Sequence, residues 1–238
     1  MRRWLAVLAV LTGVALGADL LASDQPLLGR ANGRLFILPC VTKPTPPPAW
    51  EWQLRTPIPY GPLQTLATTG ELRDEPPPWA PDEKHWLGTD ELGRDVAARL
   101  VHGARVSLFV ALFTMLIAAG LGLLIGGVSG YFGGVTDAVL SRVLEVMQTF
   151  PLVFFLLALS AVLRVQSLVP LIIALGLTRW TDVARLVRAE ILSLKTREFV
   201  LAARAQGASG ARIIVKHLVP NALGPVLITA TFGVGAAI

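Results

Sequence analysis

The stretch LAARAQGASGARIIVKHLVP, Leu201–Pro220, lies between two apolar segments and combines basic residues with small ones. The residues before Gly207 are good helix formers, and a glycine at this place favours the left-handed backbone conformation that ends a helix. Ser209 is a suitable N-cap for a second helix. The sequence therefore predicts two short helices joined by a tight bend, with Pro220 ending the second. We call Thr196–Pro220 the elbow.

The composition of the chain indicates a membrane protein. Of its 238 residues, 53% are hydrophobic and only 16% are charged, whereas about a quarter are charged in an ordinary soluble domain. The formal net charge of +5 would also fit a nucleic-acid-binding protein. Long apolar runs separate the basic residues, however, and no basic face carries interleaved aromatic residues, so we expect no nucleic-acid partner.

Apolar segments on both sides of the elbow are long enough to cross a bilayer, which takes about 20 residues. Five spans are predicted, at residues 1–22 and near 106–128, 143–163, 167–187 and 222–238. The first is also compatible with a cleaved signal peptide, since Arg2 and Arg3 precede it. We favour a retained span because further spans follow. The last apolar run reaches Ile238, so we expect a truncated chain with at least one span missing.

Two features of these spans predict local structure. Gly122, Gly126 and Gly130 recur every four residues, a spacing that lets two helix backbones approach closely in lipid, although such a pattern also arises by chance in a glycine-rich helix. Pro151 is expected to kink the third span and to free backbone carbonyls. Glu145 lies near one end of that span, where its side chain can reach the interface.

Residues 23–104 form a proline-rich insert, with thirteen of the seventeen prolines of the chain. Proline lacks a backbone donor and interrupts helices, so we expect no span here but turns and short strands, such as GRLFILP (33–39). Four aromatic residues are expected to build a small core or to touch the membrane surface, and sugar or peptide binding is an alternative role: Trp50, Trp52, Tyr60 and Trp79.

The distribution of Lys and Arg predicts the orientation of the chain. Eight of these residues lie between Arg179 and Lys216, whereas the opposite short loop has Arg164 alone. Because basic residues accumulate in short cytoplasmic loops, we expect the loop at 188–220, which contains the elbow, in the cytoplasm. The insert then faces the other side, where long loops largely escape this rule.

The segment GTDELGRDV, Gly88–Val96, has a cluster of acidic side chains. Asp90, Glu91 and Asp95 lack the ligand spacing of a calcium loop. We expect instead the start of a helix at the outer membrane surface, capped by Thr89 or Asp90, since acidic groups are favourable near a helix N-terminus.

The sequence lacks the motifs that ATP binding or catalysis would need. No GxxxxGK[ST] phosphate loop occurs, and GLGLLIGG lies within a span without a following lysine. His85, His102 and His217 are scattered, and Cys40 has no partner at metal spacing. We therefore expect no cofactor, no metal and no catalytic residues, and any energy source must belong to a partner.

The segment EFVLAARAQGASGARIIVKHLVPN, 198–221, closely resembles the cytoplasmic coupling loop of ABC importer permeases. The family pattern is Glu-Ala-Ala, three residues, Gly, nine residues, and an apolar stretch that ends in Leu-Pro. Four residues match it: Ala202, Ala203, Gly207 and Pro220. His217 before Pro-Asn is similar to the peptide-importer branch. Leu201 stands where the family has Glu, and Val219 stands where it has Leu. The missing carboxylate leaves one polar contact to the ATPase unsupported, but the elbow itself does not depend on it.

Two further segments, 85–108 and 180–200, resemble second-type permeases of dipeptide and oligopeptide importers. The resemblance implies an all-α polytopic membrane protein of the type I ABC importer permease fold, with five of six spans present and a periplasmic proline-rich insert. It places the chain in the cell inner membrane as a multi-pass protein. Contact with the ATPase is implied for six residues: Ala202, Ala203, Gly207, Ala208, His217 and Pro220.

The implied function is that of a permease subunit for di- or oligopeptides, which is not itself an enzyme. Its implied partners are ABC ATPase subunits, a second permease subunit, a periplasmic substrate-binding protein and the lipid bilayer. Three alternatives remain. An importer of nickel or another small solute would use a similar subunit. An ion-coupled secondary transporter would need more intramembrane charges than Asp19 and Glu145. A membrane-bound enzyme would need a catalytic set in the insert.

Overall fold

The computed structural model describes residues 2–45, 49–65, 76–149, 151–163 and 167–237. The chain divides into two compact units, residues 1–108 and 109–238. The second unit is helical, the first combines helices with a small sheet, and helix α4 (Val96–Phe132) begins in the first unit and ends in the second. The remaining elements of the first unit are α1 (Arg2–Leu16), α2 (Ala18–Leu21), β1 (Leu28–Ala31), β2 (Arg34–Ile37), α3 (Pro39–Thr42) and β3 (Trp52–Leu54).

The first two helices are almost continuous. The backbone amide of Gly17 donates to the Gly13 carbonyl at 2.9 Å, and the amides of Leu20 and Leu21 donate to the Gly17 carbonyl. Helix α1 has 15 residues, which is fewer than a bilayer crossing usually takes. A first span at 1–22 would require α1 and α2 together, and it stays a prediction.

A three-stranded antiparallel sheet lies in the proline-rich segment, in the order β2-β1-β3. Leu28 pairs with Ile37 on one side and with Leu54 on the other. The β1–β2 hairpin turns at Asn32 and Gly33, with φ angles of 51° and 73°, as a two-residue hairpin loop with a type I′ turn requires. The short strand predicted within 33–39 is confirmed, and the sheet adds β structure to an otherwise helical chain.

Three of the four aromatic residues in this segment pack against other side chains or are buried, as a small core requires. Trp50 packs edge-on against Phe36 with ring centroids 5.5 Å apart, Tyr60 stacks on His85 at 4.4 Å, and Trp79 is buried. Trp52 differs because it stays 56% exposed on the sheet.

The predicted cap of the helix at 88–96 is wrong. Helix α4 begins at Val96, and the Asp95 carboxylate accepts a hydrogen bond from the Ala98 amide at 2.7 Å. Thr89 instead accepts from the Trp79 amide, and Asp90 closes the preceding turn. No separate surface helix forms, since α4 runs unbroken for 37 residues.

The second unit consists of helices. After α4 come α5 (Gly134–Thr149), α6 (Leu152–Leu163), α7 (Val169–Leu194), α8 (Glu198–Ala205), α9 (Gly210–Ile213), a π-helical segment (Ile214–Leu218) and α10 (Val219–Ala237). Its core is formed by buried residues of α4, α5 and α7–α10, including Ile191, Val200 and Leu218.

The glycine repeat of α4 packs directly against α7, which confirms the predicted close approach. A Cβ atom at Gly122 would lie 2.6 Å from Val183 Cβ, and one at Gly130 would lie 2.8 Å from Ile191 Cβ. A Cβ at Gly126 would collide with the Ala184 carbonyl oxygen. The absence of side chains at these positions lets the two helices touch along two turns.

The predicted kink at Pro151 is confirmed. Helix α5 ends at Thr149, α6 begins at Leu152, and the axes of Gly134–Thr149 and Val153–Leu159 differ by 89°. Among the described residues, Val96–Phe132 and Gly210–Thr229 are long and apolar enough to cross a membrane, and the bent pair would make a third such span. The count of five spans stays a prediction.

Pro220 does not end the second helix of the elbow, contrary to expectation. Helical backbone continues from Gly210 to Ala237 through the π-helical segment. There the Val219 amide donates to the Ile214 carbonyl, five residues earlier. A proline ring clashes with the carbonyl four residues before it in an α-helix, and the wider π turn gives it room.

Candidate coupling site

The bend of the elbow is a helix end closed by backbone hydrogen bonds. Gly207 has a φ of +79°, and its amide donates to the Arg204 carbonyl at 3.0 Å while the Ala208 amide donates to the Ala203 carbonyl at 3.1 Å. These two bonds define a Schellman motif. The Ser209 hydroxyl then accepts from the Arg212 amide at 3.4 Å, so both predicted ends of the bend are confirmed.

One face of the elbow is anchored in the core of the second unit. Val200, Ile213 and Leu218 have no exposed surface, and Ala203 is 8% exposed. Burial of such side chains contributes about 1.5–3 kcal/mol each. The elbow is therefore held as part of the folded unit.

The other face carries an open groove of about 450 Å³ between the two arms of the elbow. Four of the six predicted site residues line it: Ala202, Ala203, Ala208 and His217. Gly207 forms the bend beside the groove, and Pro220 is exposed on the helix beyond it. The structure thus brings four of the predicted residues together around one depression, with the other two at its margins.

Four lining residues were missed by the sequence argument: Phe199, Gln206, Arg212 and Lys216. Arg212 and Lys216 are four residues apart and so share one helix face, a signal that was available in the sequence. With His217 they give the groove a basic wall. Such a surface favours a partner with acidic side chains.

One ion pair and two further hydrogen bonds brace the helices that lead to the elbow. Arg188 on α7 binds Asp137 on α5 through Nε–Oδ1 at 2.5 Å and Nη2–Oδ2 at 2.6 Å. Ser129 at the end of α4 also donates to Asp137. Lys195 Nζ donates to the Gly130 carbonyl at 3.1 Å. The ends of three helices are therefore fixed together just before the elbow begins.

Tyr131 connects this brace to the elbow itself. A Cβ at Gly210 would lie 3.0 Å from Tyr131 Cε1, so the start of α9 sits directly on the ring. The Arg204 guanidinium lies 5.7 Å from the ring centroid, within the range of a cation–π interaction. The elbow is therefore in direct contact with the end of α4.

Comparison with known proteins identifies the fold. Residues 122–238, which include the whole elbow and the brace, match the family described as binding-protein-dependent transport system inner membrane component. Over these residues the chain is similar to a family of membrane permeases. This similarity and the apolar helices support a membrane protein, and the elbow lies in the part of the chain that matches the family.

Similar proteins include named permeases. The dipeptide transport system permease protein DppC of Alkalihalophilus pseudofirmus is 38% identical over 179 residues, 75% of this chain and 59% of the relative. The oligopeptide transport system permease protein OppC of Bacillus subtilis is 38% identical over 172 residues, 72% of this chain and 55% of the relative. The nickel transport system permease protein NikC of Escherichia coli is 42% identical over 159 residues, 66% of this chain and 56% of the relative.

The permease chain spans less than two thirds of the length of these relatives. The relatives are transport permease subunits by name. No group of three or more His, Cys, Asp or Glu side chains suited to a metal ion occurs within the described parts of the chain.

Proposed function

We propose that this chain is a transmembrane permease subunit of an ABC importer, and that the groove of the elbow receives a cytoplasmic ATPase subunit. The observation that carries the proposal is the two-sided construction of the elbow. Its inner face is buried with Val200 and Ile213, while its outer face presents a basic groove. Force applied at such a groove is transmitted to the core, because the elbow cannot move independently of it.

The six residues of the proposed contact have different roles. Ala202, Ala203 and Ala208 keep the groove open with small side chains, so that a partner segment can approach the backbone. His217 supplies a polar group on the wall. Gly207 sets the angle between the two arms of the elbow. Pro220 lies on the continuous helix through which movement of the groove would reach the predicted last span.

The proposed assembly contains two ATPase subunits, a second permease subunit and a periplasmic substrate-binding protein. The chain would be a multi-pass protein of the cell inner membrane, with the elbow in the cytoplasm and the insert on the opposite side. It would not hydrolyse ATP itself. Closure of the ATPases around ATP would favour one of two orientations of the spans, since a ligand shifts a conformational equilibrium by its differential affinity.

Di- or oligopeptides are the proposed substrates. The names of DppC and OppC support them, and the name of NikC supports nickel as the second candidate. Uptake of labelled dipeptide and of ⁶³Ni²⁺ by proteoliposomes of the complete transporter would decide between them. ATP-dependent uptake of the dipeptide alone is expected.

Substitution within the groove tests the docking site. Ala202→Trp would fill the groove from its exposed wall, so we expect loss of co-purification with the ATPase and of ATP-driven uptake. Val215→Trp is the matched control, because Val215 is 68% exposed on the same elbow and does not line the groove. Equal ATPase binding by both variants, at normal membrane levels, would exclude the groove as the docking site.

A secondary transporter predicts a different result. Uptake driven by an imposed proton or sodium gradient, without any ATPase subunit in the vesicle, would support that alternative and contradict the ABC importer.

A further inference from the structure

One face of the β2-β1-β3 sheet is apolar and open. Directly paired residues of neighbouring strands place their side chains on the same face, and Leu28 pairs with Ile37 and Leu54 while Arg30 pairs with Leu35 and Trp52. We call these six residues the outer sheet face. Five of the six are large and apolar, and Arg30 is the one charged member.

The side chains of the outer sheet face are exposed to an unusual degree. Leu35 is 65% exposed, Ile37 67%, Trp52 56% and Leu54 49%. An antiparallel sheet with one face toward water usually carries polar side chains on that face. A contiguous apolar patch of this kind indicates an interaction surface.

The opposite face of the sheet already has its own packing. A Cβ at Gly29 would lie 2.5 Å from Trp50 Cε3, and Phe36 meets the same indole edge-on. Gly29 and Ala31 are buried on that side. The outer sheet face is therefore not an incomplete part of the small core, which forms without it.

Two ion pairs connect the segment that follows β2 to α2 and to α4. The loop after β2 continues into α3 and Lys43, whose Nζ lies 3.3 Å from Asp19 Oδ1. Arg105 Nη1 lies 2.7 Å from Asp19 Oδ2, and Arg105 immediately precedes the predicted span at 106–128. Charged side chains at the end of a span lie at the membrane interface. Lys43, which follows the sheet, is thus linked through Asp19 to the residue that precedes the predicted span.

The chemistry of the face fits a lipid surface. Tryptophan is enriched at the boundary between headgroups and acyl chains, and leucine and isoleucine bury apolar area there. Arg30 can lay its aliphatic stem along the apolar patch and keep its guanidinium among phosphates. Arg30 Nε lies 3.8 Å from Glu51 Oε2, and both side chains are exposed. This long ion pair can therefore be replaced by a contact between Arg30 and a lipid phosphate.

We propose that the outer sheet face lies on the bilayer surface, with Leu35, Ile37, Trp52 and Leu54 at the boundary of headgroups and acyl chains. The contact fixes the proline-rich segment beside α2 and the first turns of α4. It does not depend on ATPase binding at the elbow, so either proposal can fail while the other holds.

Two adjacent residues of β2 provide a matched test. Leu35 and Arg34 are both exposed, but strand alternation places them on opposite faces. The full chain carrying Leu35→Cys or Arg34→Cys is labelled with an environment-sensitive fluorophore and reconstituted in phosphatidylcholine–phosphatidylglycerol vesicles. The unsubstituted chain is the control for background labelling. Its Cys40 is buried, and burial raises the pKa of the Cys40 thiol, which disfavours the reactive thiolate.

We expect the label at 35 to be quenched about threefold more than the label at 34 by lipids with a nitroxide close to the headgroup. Aqueous iodide should quench the two labels in the opposite order. Equal iodide quenching of both labels, without lipid quenching at 35, would overturn the proposal. Shielding of the label at 35 that appears only after addition of the partner permease or binding protein would also overturn it, because the occupant would then be a protein.

Discussion

Arg188 and Asp137 form a two-point ion pair that joins α7 to α5, with donor–acceptor distances of 2.5 and 2.6 Å. The residues are 51 positions apart in the sequence. Ser129 of α4 donates to the same carboxylate, so Asp137 is the meeting point of three helices. Because α7 leads directly to the elbow, this pair fixes the helix that precedes the elbow.

Loss of this pair should destabilise the permease. Arg188→Met removes both hydrogen bonds and leaves Asp137 with fewer partners, and we expect a loss of about 1–3 kcal/mol. Arg185→Met is the control on the same helix, since Arg185 pairs with Asp182 between exposed side chains and such pairs contribute about 0–1 kcal/mol. Thermal unfolding in detergent measures both, and equal shifts in Tm would contradict the structural role of Arg188.

Close packing of α4 on α7 depends on the absence of a side chain at Gly126. Gly126→Val should cost about 1–3 kcal/mol, because the added carbons meet Ala184 and Val187. Gly120 on the same helix has no atom within 4 Å of a Cβ position, so Gly120→Ala should be neutral or stabilising. A similar Tm for the two variants would argue against direct helix contact.

The bend at Gly207 requires a positive φ. Gly207→Ala has open space around the added Cβ, so its expected cost of about 1–2 kcal/mol comes from the left-handed backbone alone. Gly224→Ala also enters open space, but in ordinary helical backbone, and should not destabilise. We expect the first variant to lower ATP-driven uptake as well as Tm, as measured in proteoliposomes of the complete transporter. Unchanged values would mean that the angle of the elbow does not matter.

Basic residues on the wall of the groove should control its affinity for the ATPase. Arg212→Glu together with Lys216→Glu reverses the charge of the wall, and we expect binding to weaken about tenfold at low salt, with less effect at high salt. Arg185→Glu changes the charge of α7 outside the groove and should leave binding unchanged. Titration of the detergent-solubilised permease with the ATPase subunit measures this. A loss that is equal at all salt concentrations would exclude an electrostatic contribution.

The turn before α4 should weaken in acid. Partial burial of Asp90 acts to raise the pKa of its carboxyl, but hydrogen bonds from the Arg94 backbone, the Arg94 guanidinium and the Leu92 amide outweigh it and hold the pKa below its ordinary value of 3.8. The charged carboxylate therefore stabilises the fold above that value, and the contribution disappears as the pH falls through the lower pKa of the folded state. Asp90→Asn should reduce the loss of Tm between pH 6 and pH 3. An identical pH dependence in both proteins would contradict this role.

Local features of the sequence were sufficient to predict the bend of the elbow. Gly207 and Ser209 determine the backbone of their immediate neighbours, and the structure follows the prediction at both. The same reasoning failed for the start of α4, where Thr89 or Asp90 was expected to cap the helix. Asp95 caps the helix because Thr89 and Asp90 are engaged with Trp79 and Arg94, which local propensity does not reveal.

Prediction of the site was partial for a similar reason. Motif spacing indicated the alanines and His217, but it did not indicate Phe199 or Gln206, which reach the groove only after the elbow folds. Pro220 was expected to end a helix, and the π-helical turn before it allows the helix to continue. Proline excludes regular α geometry at that place, but the sequence does not say which alternative the backbone adopts.

The amino-acid sequence by itself determined the membrane class of the chain, the helical bend at Gly207 and the glycine stripe on α4, because apolar content and backbone restrictions act over a few residues. The tertiary structure alone decided that the stripe meets α7, that Arg188 finds Asp137, and that Trp52 remains outside the small core while Trp50 enters it. These outcomes depend on which distant surfaces meet. Burial of apolar surface and ion pairing stabilise these long-range contacts, and no single segment of the sequence encodes them.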